Sequence, residues 1–348
     1  MENKPKVSGF EVGRSVMSLW IPQAIHAAAE LGIADALAQG ALEAKQLAAR
    51  LQTHADATAR LLDGLVVLGL VTREQDAYAL TELGQFLRSD VPGSRRAWAR
   101  LMGSERVWRA WGRLTDCVRT GRAAFASGEQ RGSDTETFDV LIEDQASADV
   151  FHRAMADGTE GVAADVAAAV DLQAARTVID VGGGYGALLC AFLAAHPDLR
   201  GQVFDRAYAR AGAEQYFERH GVAARARFVA GDFFEDALPA ADLLLLKSVI
   251  HDWDDEHSLK ILARCREAIG ANGRLILVEP PAAPPGAAVP ASFAWVVAFS
   301  DLNMLVNTGG RERTAADYTA LLQRAGLRVS GQRPTASGFY SCFVCERA

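Results

Sequence analysis

Lys247-Ser-Val-Ile-His251-Asp252-Trp253-Asp254-Asp255 places a cation, an imidazole and three carboxylates directly after the apolar run Asp242-Leu-Leu-Leu-Leu246. Such a run is what a strand buried on both faces shows. In open α/β sheets, ligands bind beyond the carboxyl ends of the strands. A histidine there can move a proton near neutral pH. The plainer reading is that Lys247 and His251 are solvated strand-end residues and that Asp254 or Asp255 caps the next helix.

A second cluster lies upstream. Val178-Ile-Asp180-Val-Gly182-Gly-Gly184-Tyr-Gly186 joins a strand to a helix. Glycines at such a turn let the backbone approach a ligand and leave helix N–H groups facing it. Gly182, Gly184 and Gly186 give a GxGxG spacing, whereas the dinucleotide fingerprint is GxGxxG. Asp180 adds negative charge, which disfavours a pyrophosphate and suits a ligand carrying an amino cation. Asp205 follows the second strand, about 20 residues on, where a carboxylate can hold both ribose hydroxyls. Gly231-Asp232-Phe233-Phe234 ends the third strand. A carboxylate beside an aromatic ring suits an adenine, by hydrogen bond and by stacking. Singly, Asp205 and Asp232 also read as cap or turn residues; together they end successive strands.

The elements that must carry these groups alternate from residue 176 onward. Strands are predicted at 177–181, 202–204, 227–230, 242–249, 274–279, 327–330 and 341–346. Helices are predicted at 187–195, 207–220, 255–269 and 314–325. This alternation predicts an α/β fold with a mostly parallel sheet covered on both faces. Pro280 to Pro290 is a Pro/Gly-rich loop, either a mobile rim of the site or a plain surface loop. Ahead of this region, residues 15–38 read as one amphipathic helix, and 43–52 and 55–70 as two more. Val71–Leu80 reads as a hairpin, and 95–120 and 146–170 as further helices. The segment Gly128-Glu-Gln-Arg-Gly-Ser-Asp-Thr reads as a polar connector. Three helices followed by a hairpin form a winged-helix pattern. The expected division is therefore residues 1–150, mainly α and winged-helix-like, and 151–348, the α/β domain.

A winged helix raises the possibility of DNA binding, and charge speaks against it. The chain of 348 residues has a formal net charge of −7. Residues 1–150 hold 17 Lys and Arg against 20 Asp and Glu, and residues 151–348 hold 19 against 23. Neither half has the basic excess of a nucleic-acid binder, so packing or dimerisation is the expected role. No apolar run reaches the length of a membrane span, and the polar start Met1-Glu-Asn-Lys-Pro-Lys lacks a signal segment. No nucleic-acid or membrane partner is expected. Five scattered cysteines suit a reducing, cytoplasmic setting. Cys342 and Cys345 form a CxxC, but three apart on a strand they point to opposite faces.

With these motifs in place, the sequence resembles the S-adenosylmethionine-dependent O-methyltransferases of the caffeate, flavonoid and acetylserotonin type, including bacterial natural-product members. The resemblance runs from about residue 15 to 345. It is carried by Asp180-Val-Gly-Gly-Gly-Tyr-Gly186, Gly231-Asp-Phe-Phe234, Lys247 to Asp255, and Gly309-Gly-Arg-Glu-Arg-Thr314. Ala28-Ala-Glu-Leu-Gly-Ile-Ala-Asp35 and Leu80-Thr-Glu-Leu-Gly84 extend it to the N-terminal part. It implies a Rossmann-like methyltransferase sheet and an N-terminal winged-helix domain that forms a homodimer and helps close the partner's substrate pocket. It implies S-adenosylmethionine as methyl donor and S-adenosylhomocysteine as product. Asp180, Gly182 and Gly184 would face the methionine part, Asp205 the ribose, and Asp232 and Phe233 the adenine. Lys247 and Trp253 would also contact the donor. His251 matches the general base, and Glu279 and Glu312 match the carboxylates that orient it.

The implied reaction is methylation of a hydroxyl on an aromatic small molecule, in secondary metabolism. Its acceptor pocket should be apolar and aromatic. Met102, Trp108, Phe151, Met155, Phe299 and Met304 are candidates, with Asn303 or Asn307 fixing a second polar group; each also reads as core. No acidic pair with an asparagine is placed to chelate magnesium with a catechol, so metal independence is expected. Competing readings are transfer to nitrogen or carbon, use of the cofactor without methylation, a winged-helix regulator, and a nicotinamide oxidoreductase. The acceptor and the hydroxyl that is methylated are not legible.

The chain departs from the resembled pattern in three places. Asp205-Arg-Ala stands where the family usually has Asp-Leu-Pro. The stretch from Met304 to Gly309 is one residue shorter. In Phe151-His-Arg-Ala-Met155, His152 replaces an asparagine.

Overall fold

The computed structural model describes residues 9–125, 138, 145–172, 175–284 and 286–348. The polar connector starting at Gly128 lies outside the described residues. The chain divides into two compact units between Trp108 and Arg109. The sequence predicts a boundary at 150/151; the described residues 109–125 and 145–150 group with the second unit.

In the first unit, the single helix expected over 15–38 is three: α1 (Gly9–Met17), α2 (Trp20–Leu31) and α3 (Ile33–Leu37). Gly32 causes the second break. It sits at φ 70 and caps α2 by donating its N–H to the Ala28 carbonyl, a left-handed ending that glycine adopts without strain. Next come β1 (Leu42–Glu43), α4 (Ala44–Leu51), α5 (Ala55–Val67), and the hairpin β2 (Val71–Glu74) and β3 (Ala77–Leu80). The three strands form an antiparallel sheet in the order β1-β3-β2. Ile33, Leu37, Leu47, Leu62, Leu65, Val71 and Tyr78 make its core. The helix expected over 95–120 is also divided, into α6 (Arg96–Met102), α7 (Glu105–Trp111) and, in the second unit, α8 (Leu114–Thr120). Gly103 ends α6 where a Cβ would come within 2.2 Å of His26. So α2 packs close to that point.

The second unit is built on a seven-stranded sheet. Its elements are α9 (Gln145–Ala169), β4 (Thr177–Val181), α10 (Ala187–Ala195), β5 (Arg200–Asp205), α11 (Arg210–Arg219), β6 (Ala226–Ala230), β7 (Ala241–Lys247), α12 (Asp255–Ala268), β8 (Ile269–Glu279), α13 (Ala291–Asn307), α14 (Ala315–Arg324), β9 (Leu327–Pro334) and β10 (Ser341–Arg347). The strand order is β6-β5-β4-β7-β8-β10-β9. The first five strands run parallel, and β10 is antiparallel to both neighbours.

Alternation along the strands divides the core in two. Val178, Val203, Leu243, Leu245 and Cys342 face α9, α10 and α11. Ile179, Phe204, Leu244, Leu246, Phe343 and Cys345 face α12 and α14. Cys342 and Cys345 thus lie on opposite faces, as their spacing predicts, and all five cysteines are free and buried. The sheet reverses its order between β4 and β7, so the carboxyl ends of β4, β5, β6 and β7 open onto one crevice.

Helix α13 was not legible in sequence. Apolar residues surround it, so no 3.6-residue stripe stands out. Val297, Met304 and Val306 are buried, while Trp295 is 62% exposed and Phe299 45%. The Pro-rich loop before it is tied down at one point, where Ala282 N–H donates to the Arg313 carbonyl at 2.8 Å. Among the described residues, no helix is long and apolar enough to cross a membrane.

Candidate active site

The crevice begins at the turn after β4. Gly182, Gly184 and Gly186 hold φ values of 67, 57 and 79, which side-chain-bearing residues rarely adopt. Gly183 is required for space, because a Cβ there would lie 2.5 Å from the Asp180 carboxyl carbon. Asp180 is buried beneath the loop and accepts the Leu189 N–H at 3.3 Å. Burial pushes its pKa up to about 7, against the pull of that hydrogen bond and of Lys247. Lys247 Nζ donates to Ser248 Oγ at 3.2 Å and to Tyr340 Oη at 3.4 Å, and lies 4.6 Å from the Tyr340 ring centre. Ser248, at φ 52, turns the chain sharply out of β7, a strained conformation of the kind concentrated at functional sites.

Asp205 ends β5 and is bound at both oxygens. Oδ2 accepts the Gly184 N–H at 2.7 Å, and Oδ1 accepts the Arg206 N–H at 2.6 Å. This ties the end of β5 to the glycine turn. Asp232, beyond β6, accepts the Phe234 N–H at 2.8 Å and pairs with the Arg206 guanidinium at 2.5 Å. The neighbouring Phe233 faces the turn, 3.7 Å from where a Gly182 Cβ would stand. Trp253 is buried against Phe234, with ring centres 4.7 Å apart, and its indole N–H has no partner among the described residues.

His251 lies in a short 3-10 turn between β7 and α12. Its Nδ1 is 3.0 Å from Glu312 Oε1 and 3.9 Å from Glu279 Oε2, and its Nε2 is 3.8 Å from Asp252 Oδ1. Glu279 ends β8, is fully buried, and accepts the Val249 and Ile250 N–H groups at 3.2 and 2.9 Å. Glu312 accepts Ser300 Oγ–H at 2.6 Å, and its own N–H donates to Asp301 Oδ1 at 2.8 Å. Burial alone would lower the His251 pKa. Glu279, Asp252 and Glu312 outweigh it and push His251 up to about 10. Burial in turn raises Asp252 to about 6 and Glu279 to about 7, with His251 opposing both shifts. A buried imidazole facing three carboxylates is a proton acceptor whose protonated form is stabilised.

The turn bearing His251 is clamped from behind. Arg313 is 2% exposed. Its guanidinium donates to the Ile250 carbonyl at 3.0 Å, to the Trp253 carbonyl at 2.9 Å and to Asp255 at 2.8 Å. Arg311 N–H donates to the His251 carbonyl at 2.8 Å. Sequence reading missed Asp252, Ser300, Asp301, Arg206 and Arg313 as site residues. Asp252 and Arg206 were signalled only by adjacency to His251 and Asp205. Ser300 and Asp301 lie on the helix that sequence reading did not find.

The acceptor-pocket candidates fall in different places. Met102 and Trp108 belong to the first unit, on α6 and α7. In the second unit, Phe151 on α9 packs edge-on against Phe138, with centres 6.4 Å apart. Met155 is half-buried one turn further on. Phe299 stacks obliquely on Trp295 at 5.0 Å, and Met304 is buried. Asn303 Oδ1 accepts from Trp111 Nε1 at 3.1 Å and from Asn307 Nδ2 at 2.9 Å, so both asparagines join one network with Trp111. Among the described residues, no group of three or more His, Cys, Asp or Glu side chains is arranged to hold a metal ion.

The chain is similar in sequence and fold to several known proteins. Phenazine O-methyltransferase PhzM of Lysobacter antibioticus is 36% identical over 93% of this chain and 92% of its own. Aclacinomycin 10-hydroxylase RdmB of Streptomyces purpurascens is 34% identical over 93% and 86%. The crystal structure of an O-methyltransferase (NcsB1) from neocarzinostatin biosynthesis superposes with a TM-score of 0.75 at 35% identity, covering 94% of this chain and 96% of that one. That structure holds S-adenosylmethionine and 2-hydroxy-5-methyl naphthoic acid. Residues 14–90 match the O-methyltransferase dimerisation domain and residues 111–328 the O-methyltransferase domain, and the chain belongs to this O-methyltransferase family.

Proposed function

We propose that the enzyme methylates a hydroxyl of an aromatic small molecule, with His251 as general base and with Glu279 and Glu312 orienting and stabilising it. The carrying observation is the contact of His251 Nδ1 with Glu312 at 3.0 Å. A carboxylate on Nδ1 holds the proton there and leaves Nε2 to accept one. A phenol has a pKa of about 10 and an ordinary histidine about 6.5, a gap of roughly 5 kcal/mol for full proton transfer. With His251 pushed up to about 10, that gap largely closes. The same tuning means that His251 becomes available as a base as pH rises towards about 10.

The strand ends fit an adenosyl amino-acid donor. The glycine turn is a cradle that a Cβ would disrupt, Asp205 closes one side, and Phe233 offers a ring beside it. Asp180, Gly182 and Gly184 would hold the methionine part, Asp205 the ribose, and Asp232, Phe233 and Trp253 the adenine, with Lys247 alongside. When bound, S-adenosylmethionine supplies an electrophilic methyl on a sulfonium and leaves as S-adenosylhomocysteine. Phe151, Met155, Phe299 and Met304 are proposed to shape the acceptor pocket, with Asn303 and Asn307 as its polar contacts. Aromatic acceptors from natural-product pathways are supported by the relatives.

We infer a homodimer built through the N-terminal domain. Phe10, Val12, Val16 and Trp20 on its first two helices are 64–72% exposed, an apolar face that a partner would cover. The five free thiols support a cytoplasmic setting. The acidic balance supports a protein that binds neither DNA nor membrane.

The test is transfer of labelled methyl from S-adenosylmethionine to a panel of phenols and hydroxylated polyketides. Label on an aromatic oxygen is expected. A second reading, use of the cofactor without methyl transfer, is favoured by the hydroxylase among the relatives. Conversion of an acceptor without label would establish it.

A further inference from the structure

We propose, resting on the reading of α13 as a wall of the acceptor pocket, that Trp111 sets the polarity of that pocket by fixing the side-chain amides of Asn303 and Asn307. The pocket thereby selects a hydroxylated aromatic that carries a carboxylate or carbonyl oxygen with an O–H or N–H donor beside it. Trp111 ends α7, and its indole N–H donates to Asn303 Oδ1 at 3.1 Å. An indole N–H can only donate, so the oxygen of the Asn303 amide has to face it. Asn307 Nδ2 lies 2.9 Å from that oxygen and 3.0 Å from the Asn303 main-chain carbonyl. Both are acceptors, so the nitrogen of the Asn307 amide has to face them. One indole N–H therefore decides the orientation of two amides. Among the described residues, a donor on Asn303, Nδ2, and an acceptor on Asn307, Oδ1, remain without partners.

Helical spacing connects these amides to the site of chemistry. Ser300, Asn303 and Asn307 are separated by three and four residues, so they share one face of α13. The Ser300 hydroxyl on that face donates to Glu312, whose Oε1 is 3.0 Å from His251 Nδ1. At a rise of about 1.5 Å per residue, Asn303 and Asn307 stand about 4.5 and 10.5 Å along the helix from Ser300. A flat aromatic with one hydroxyl at His251 can lie along this face and bring its far substituents to the two amides. Nδ2 of Asn303 matches an oxygen there, and Oδ1 of Asn307 matches an O–H or N–H. A substituent of the wrong kind leaves a half-buried amide atom unpaired, which weakens binding. Trp111 packs against the cluster of Ala110, Cys117, Ala124 and Val306, which holds the indole in place. Trp111 is thus a positioning residue that acts through Asn303.

The experiment is calorimetric binding of two probes to the S-adenosylhomocysteine complex of wild-type, W111F and N303A enzyme, with melting temperatures measured alongside. One probe is a dihydroxynaphthoate with adjacent carboxylate and hydroxyl; the other is the same dihydroxynaphthalene without the carboxylate. Wild type is expected to bind the carboxylated probe roughly tenfold more tightly, the scale of one hydrogen bond to a charged group. W111F keeps a ring to pack but has no N–H, and N303A removes the donor amide. Both should bind the two probes nearly equally, with S-adenosylhomocysteine bound as in wild type. A preference kept by W111F would overturn the role of the indole N–H. If W111F fails to fold, N303A decides, and a preference kept there would overturn the role of the amide. A preference absent from wild type would overturn the polarity assigned to the pocket. Binding of S-adenosylhomocysteine but of neither probe would instead overturn the reading of α13 as a pocket wall.

Discussion

His251 and Glu312, 61 residues apart in the chain, meet at 3.0 Å between Nδ1 and Oε1. The contact needs the β7–α12 turn and the segment after α13 to be brought together. That makes Glu312 a determinant of the state of His251 as well as its neighbour. His251→Ala is expected to lower kcat by about 100-fold or more, the usual contribution of a general base. Binding of S-adenosylhomocysteine should be retained. Near wild-type turnover in this variant would leave proximity of the reactants as the source of the rate.

Activity should depend on pH in a defined direction. A base must be neutral to accept a proton, and the carboxylates around His251 raise its pKa to about 10 despite burial. The rate is therefore expected to climb with pH to well above the ordinary histidine range. Glu312→Gln removes one of those charges and should move the midpoint down. A profile that does not move between wild type and Glu312→Gln would separate the two groups. Stability should run the other way. An imidazole with a raised folded pKa stabilises the fold below 6.5, its ordinary value, and that contribution is lost as pH rises through about 10. The melting temperature of wild type, compared with His251→Ala, should accordingly fall more steeply at alkaline pH.

Arg313→Ala should be strongly destabilising. The guanidinium is buried, satisfies the Ile250 and Trp253 carbonyls, and pairs with Asp255. Burial opposes ionisation of Asp255, but Arg313 and Arg324 hold its pKa down at about 2. Removing one partner of such a buried pair costs about 3–5 kcal/mol, discounted here because the Asp255 side chain is 35% exposed. Denaturant unfolding would measure the loss. A change below about 1 kcal/mol, the scale of surface pairs, would show that the clamp is dispensable.

Gly310→Ala tests the same turn from another side. A Cβ at Gly310 would sit 2.1 Å from the His251 carbonyl oxygen and 2.4 Å from the Asp252 carbonyl carbon. The backbone carrying His251 must shift, at a cost of about 1–3 kcal/mol. The expected result is a fall in kcat with donor binding preserved, read by turnover and by S-adenosylhomocysteine calorimetry. Unchanged kcat would mean that the turn tolerates displacement.

Trp20→Glu should weaken self-association. Trp20 is 64% exposed at the start of α2, and a carboxylate buried there in an interface would lack a partner. Light scattering after size exclusion should show a shift from dimer to monomer at micromolar concentration. A dimer of unchanged affinity would place the interface elsewhere.

The sequence alone determined those features that depend on local pattern. Apolar runs specified β4, which ends at Gly182, and β7, and the GxGxG turn after β4 declared its own conformation through residues that tolerate positive φ. The odd spacing of Cys342 and Cys345 settled which face each takes. Adjacency to strand ends pointed to Asp205, Asp232 and His251. Local pattern failed where a residue's environment is made by distant chain. Helix α13 is apolar around its circumference and carries no readable stripe, so Ser300 and Asp301 stayed hidden. The breaks at Gly32 and Gly103 depend on caps and on the approach of another helix. Tertiary structure decided that Glu279 and Glu312 both converge on His251, that Arg313 clamps its turn, and that Arg206 reaches Asp232. These are pairings of charges across long separations. Burial sets their energies, and burial exists only once the sheet and its helices have packed.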